Sequence, residues 1–161
     1  MNLNDLIVPA RVLINAKADS RKAALEILGE LLAKSDSTFT RADALQSMIA
    51  RERLGSTAVG GGVAVPHGRI KGLGAPIGAL IRLTEPIDYQ ADDGARVDLL
   101  CAVLVPETCE PGHTALLSTL MRRCADPALA DRMRVSRTSQ DLYEALTAED
   151  WHGNRRMGAG A

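Results

Sequence analysis

Aromatic residues are nearly missing from this chain: one Trp, two Tyr and one Phe stand among 161 residues. That scarcity removes the stacking platforms on which single-stranded nucleic-acid binding depends. It also leaves the core to Leu, Val, Ile and Ala. Charge of one sign is missing as well. The 19 basic and 20 acidic residues leave a net charge of −1, so no electrostatic bias calls for nucleic acid or an anionic membrane. Cysteine is sparse and unpatterned. Cys101, Cys109 and Cys124 form no CxxC, which argues against a zinc ribbon or a thiol redox motif and makes a buried, inert Cys101 the simplest reading. There is no long apolar run and no signal-peptide pattern, so the chain reads as cytoplasmic, with no membrane insertion.

What is present fits one ordinary domain. A chain of this length buries a sizeable core without disulfides or metals, and 46% hydrophobic residues make it globular. Ala24, Leu25, Ile27, Leu28, Leu31 and Leu32 recur at helical spacing after a capping Asp19 or Ser20. Thr40 and Asp43 resemble a capping box that opens a second helix, with Gly55 as its stop signal. Short strands are expected around Val63–Val65 and over Ile77–Leu83. Residues 97–105 are almost wholly apolar, as suits a strand covered on both faces. Helical patterns return at His113–Cys124, at Ala128–Met133 and after Thr138. Helices on either side of a central strand region predict an α/β sandwich: a single domain over 1–150, its mixed β-sheet flanked by helices on both faces. Residues 151–161, with His152, read as a frayed tail.

The unusual chemistry is concentrated in residues 51–69. Pro66 fixes the backbone before His67, and Gly68 follows. A strand at Val63–Val65 would deliver His67 to its end, where α/β proteins place ligands. Three consecutive glycines, Gly60, Gly61 and Gly62, permit tight turns whose N–H groups can cradle an anion. The Lys-Ser/Thr of a P-loop is absent, so nucleotide binding finds no support. A neutral imidazole, with an unperturbed pKa of about 6.5, is a good phosphoryl acceptor at neutral pH. Arg51 offers a fixed cation with bidentate reach to phosphate. Ser56 and Thr57 offer hydroxyl donors, and His113 stands at a helix start that favours an anion. Each feature also has a plain reading: a loop histidine, a glycine turn, a solvated arginine, a capping histidine. The residues alone therefore reach an α/β domain with a His-centred anion site.

The stretch Glu52 to Gly68 goes further. An acidic residue, six variable positions, the pair Val59-Gly60, two more positions and then Val63-Ala64-Val65-Pro66-His67-Gly68 resemble the signature of fructose/mannitol-class enzyme IIA domains (type 2) of the bacterial phosphotransferase system. His113 with Leu117-Ser118 is similar to that family's second-histidine helix. The similarity runs over roughly residues 3–148 and is strongest to the nitrogen-regulatory branch. It implies that His67 accepts a phosphoryl group through Nε2 from a small histidine phosphocarrier protein (NPr or HPr). Arg51 would position the phosphate and His113 would assist. Ser56, Thr57, Gly60, Gly61, Gly62 and Gly68 would surround it, and neither metal nor nucleotide cofactor would take part. Regulated proteins such as potassium-transport regulators or sensor kinases would be the output. Two alternatives follow the same resemblance: a sugar-branch enzyme IIA that passes phosphate to a permease IIB domain, or a binding module in which His67 is only a switch. Where some relatives carry a further histidine, this chain has Ala115.

Overall fold

A computed structural model describes residues 2–149; the expected tail, residues 151–161 with His152, lies outside the described residues. The chain begins with a short helix α1 (Leu3–Leu6), a 3₁₀ turn (Pro9–Arg11) and strand β1 (Val12–Ala16). Helices α2 (Arg21–Lys34) and α3 (Arg41–Glu52) follow, then three short strands, β2 (Ala58–Gly60), β3 (Val63–Ala64) and β4 (His67–Ile70). Two long strands, β5 (Ile77–Ile87) and β6 (Val97–Pro106), precede helices α4 (Pro111–Cys124), α5 (Pro127–Arg134) and α6 (Ser139–Thr147).

The helix starts have local causes. The Ser20 hydroxyl accepts from the Ala23 N–H and opens α2. Thr40 and Asp43 form the reciprocal capping box of α3, each satisfying an N–H that the helix leaves unpaired. Thr138 accepts from the Asp141 N–H at the start of α6.

The strands form one mixed sheet of order β1-β5-β6-β3-β2, with β4 also paired to β6. Strand β6 is antiparallel to β5 and parallel to β3 and β4. Its alternate residues feed two cores. Leu100, Ala102 and Leu104 pack with α2 and α3 residues such as Leu28, Leu32, Ala44 and Met48. Leu99, Cys101, Val103 and Val105 pack on the other face with Leu120, Leu129, Leu142 and Leu146 from α4–α6. The continuous apolar run of residues 97–105 is thus explained by helices on both sides. Each fully buried leucine in these layers contributes about 1.5–3 kcal/mol. Cys101 is fully buried, and its thiol is pushed up by a hydrogen bond with Cys124 and by burial. It stays an inert thiol.

Two expectations change. The strand foreseen at Val63–Val65 stops at Ala64, and His67 does not hang from its end. It begins the separate strand β4, pairing with Val103. The reason is Pro66, which has no N–H to give a ladder while its carbonyl still accepts from the Val103 N–H. Strands β3 and β4 are therefore successive segments along one edge of β6, with the proline as the joint.

Candidate functional site

Helix α3 and strand β4 bring Arg51 and His67 together. Arg51 lies in the last turn of α3, and its Nε–H donates to Nε2 of His67 at 3.2 Å. Its Nη1 donates to the Gly55 carbonyl at 2.9 Å, so the guanidinium is held at two points. The helix can approach this closely because residue 68 is a glycine. A Cβ there would overlap the Ser47 hydroxyl oxygen and lie 2.9 Å from its Cβ and 3.0 Å from its backbone carbon, so any side chain would force the helix or Ser47 to move. The Ser47 hydroxyl also donates to the Arg69 carbonyl across the same contact. The structure thus places Gly68 in the packing of α3 on β4.

His67 is half-buried. Its Nδ1 lies 2.9 Å from the Val65 carbonyl. A carbonyl only accepts, so Nδ1 carries the proton and Nε2 keeps its lone pair. Burial pushes the imidazole below its ordinary pKa and the Arg51 cation adds to that, against the opposing effects of the Val65 carbonyl and Glu52. The ring is held neutral, in one tautomer, with its basic nitrogen under a cation. An imidazole in that tautomer can act as a nucleophile once Arg51 releases the Nε2 lone pair, and the cation beside it suits an anionic electrophile.

The other expected residues are distributed differently. Thr57 is buried; its N–H and hydroxyl both go to the Glu52 carboxylate, so it is occupied inside the protein rather than presented to phosphate. The Ser56 hydroxyl accepts from the Ala58 N–H and retains its own proton to donate. The glycine turn is not brought to His67. Gly60, Gly61 and Gly62 all have positive φ, as their identity foretells, but they end β2 and turn the chain into β3. Val63 pairs with Leu99 and His67 with Val103, a separation of about 13 Å along β6 at strand rise. The Gly61 N–H binds the Asp93 carboxylate at 3.0 Å and the Gly61 carbonyl takes Arg134 at 2.7 Å. The turn's anion is the protein's own. His113 occupies the first turn of α4, its Nδ1 accepting from the Glu110 N–H at 3.3 Å. Among the described residues no hydrogen bond links it to Arg51 or His67.

Glu52, Tyr89 and Arg21 were missed as a group. The Tyr89 hydroxyl donates to Glu52 Oε1 at 2.6 Å, and Arg21 faces Glu52 Oε2 at 3.7 Å. Glu52 is legible in sequence as the acidic member of the motif, though its burial is not. Its partners are not, because they lie 31 and 37 positions away in sequence.

Residues 5–149 match the family described as "Phosphoenolpyruvate-dependent sugar phosphotransferase system, EIIA 2". A "Nitrogen regulatory protein" of Pseudomonas aeruginosa is 37% identical over 146 residues, covering 91% of this chain and 95% of that protein. One from Bradyrhizobium diazoefficiens has the same identity and coverage. The crystal structure of nitrogen regulatory protein IIA-Ntr from Neisseria meningitidis superposes with a TM-score of 0.84 at 32% identity, over 90% of this chain and 99% of that one.

Proposed function

The chain belongs to the EIIA 2 family of the phosphotransferase system, and from that premise we propose that His67 is its phosphoryl acceptor, in a phosphocarrier and regulator of the nitrogen-regulatory kind. The supporting observation is the arrangement of Arg51, His67 and the Val65 carbonyl. The donor is a phosphohistidine on a small carrier protein of the NPr or HPr type. The Nε2 lone pair attacks phosphorus, the donor's P–N bond breaks, and its electron pair returns to the donor imidazole. Nδ1–H stays on the Val65 carbonyl throughout, so no proton need move. In the free protein Arg51 Nε occupies the attacking lone pair; on arrival of the phosphoryl group it turns to the phosphoryl oxygens, which carry the charge of the transition state. His113 assists from the start of α4, with Nε2 left to donate once Nδ1 is engaged. We place its working location in the cytoplasm. Its output is regulatory, through protein targets that distinguish the two charge states.

The test is phosphoryl transfer from phosphoenolpyruvate through enzyme I and the small carrier, followed by intact mass at non-acidic pH. One acid-labile phosphoryl group on the wild type and none on His67→Ala is the expected result. An unlabelled wild type beside a phosphorylated donor would refute the assignment.

A further inference from the structure

We propose that Glu52 is a positioning residue whose buried carboxylate holds both restraints on the His67 ring, one through Arg51 and one through Val65. The proposal rests on His67 as the acceptor. Glu52 ends α3 with its side chain 3% exposed. Burying a carboxylate is costly unless its lone pairs are filled, and here they are. Oε1 accepts from the Tyr89 and Thr57 hydroxyls; Oε2 accepts from the Thr57 N–H at 3.2 Å and faces Arg21. The helix end itself does not require this arrangement. The N–H groups of Arg53, Leu54 and Gly55 already bond to the carbonyls of Ile49, Arg51 and Glu52.

What the carboxylate adds is a tether from α3 to Thr57. The tether closes the segment 52–57, and within that segment the Gly55 carbonyl takes Arg51 Nη1, which leaves Arg51 Nε for His67 Nε2. On the other side, the Thr57 carbonyl accepts from the Val65 N–H at 3.0 Å, and the Val65 carbonyl holds His67 Nδ1. Both ring nitrogens thus trace back, through different atoms, to the segment 52–57 that Glu52 closes. Tyr89, fully buried, and Arg21, stacked over its ring at 5.6 Å, anchor the carboxylate to the loop after β5 and to the start of α2.

Glu52→Gln tests this, because it replaces an acceptor by a donor with little change in shape. In the unphosphorylated protein, nitrogen-detected NMR of His67 reads the tautomer without any transfer reaction. Wild type is expected as the Nδ1–H form alone and the variant as a mixture. In phosphoryl transfer the variant is expected to lose at least tenfold in kcat with KM for the carrier within twofold of wild type. A folded Glu52→Gln with the wild-type tautomer and kcat overturns the proposal. Should that variant fail to fold, Tyr89→Phe, which deletes a single bond to the carboxylate, is read by the same two measurements. An unchanged tautomer and kcat there overturn it equally. A wild type that accepts no phosphoryl group would defeat the acceptor reading instead, and the NMR comparison would still decide the role of Glu52.

Discussion

Gly68 and Ser47 touch where no side chain fits unless one of them moves: a Cβ on Gly68 would meet the Ser47 Cβ at 2.9 Å and its backbone carbon at 3.0 Å. This contact sets the distance between α3 and β4, and so between Arg51 and His67. Gly68→Ala is expected to push the helix away, costing about 1–3 kcal/mol of stability as overpacking does. It should also slow phosphoryl acceptance beyond what the stability loss explains. Thermal unfolding and single-turnover transfer, measured on the same preparation, separate the two effects.

The depressed pKa of His67 gives a pH signature. Its neutral form persists below the usual value of about 6.5, so acceptance should stay level from pH 8 to about 6.5 and fall only at lower pH. The linkage has a definite sign. Between the unfolded and folded pKa values the unfolded chain binds the proton and the folded chain does not, so stability is lost as pH drops through that window. His67→Gln should flatten this part of the stability profile in denaturant titrations across pH.

Leu54 is 84% exposed and lies in the turn whose Gly55 carbonyl holds Arg51. A carrier docked over Arg51 and His67 is expected to cover it. Leu54→Asp is expected to raise KM for the phosphorylated carrier about tenfold, as loss of an apolar contact worth 1–2 kcal/mol would. The value of kcat should be nearly unchanged in steady-state transfer.

His113 should matter less than Arg51. Removing one charge-stabilising donor costs about 10²–10³ in rate, which is the expectation for Arg51→Ala. For His113→Ala we expect a loss nearer tenfold, with the P–N bond still formed at His67. Rapid-quench measurement of both variants orders them.

Arg82 supplies a control remote from the chemistry. Its Nη1 donates to the carbonyls of Met133, Arg134 and Ser136 at 2.6–3.2 Å, filling acceptors left over at the end of α5. Arg82→Leu is expected to cost about 2–3 kcal/mol, read as a lower denaturation midpoint, with transfer per folded molecule unchanged.

The features legible in sequence were those with local causes. Ser20, Thr40 with Asp43, and Thr138 open helices through bonds within three residues. The apolar run of β6 announced its two covered faces by composition alone. Strand β1 escaped because Asn15 has φ of 56° and the pairing with β5 shifts register there, which blurs the alternation. Strand β4 reads His-Gly-Arg-Ile and has no strand pattern; it is extended because β6 offers it partners. At the site, His67 was legible through the motif, and Arg51, just before it, through its charge and the wider resemblance. The glycines disclosed their backbone angles but not the carboxylate their turn would bind, since Asp93 arrives from 32 positions on.

The atom that fixes the orientation of the His67 ring is a main-chain oxygen, that of Val65. Every amino acid carries that oxygen, so no single codon change deletes it. The tautomer of the ring is therefore set by the path of the strand, and a side chain such as Glu52 bears on it only by holding that path. Residues that hold neither that path nor Arg51 can change, and the docking rim can be rewritten for new listeners, while the tautomer of the imidazole is passed on intact.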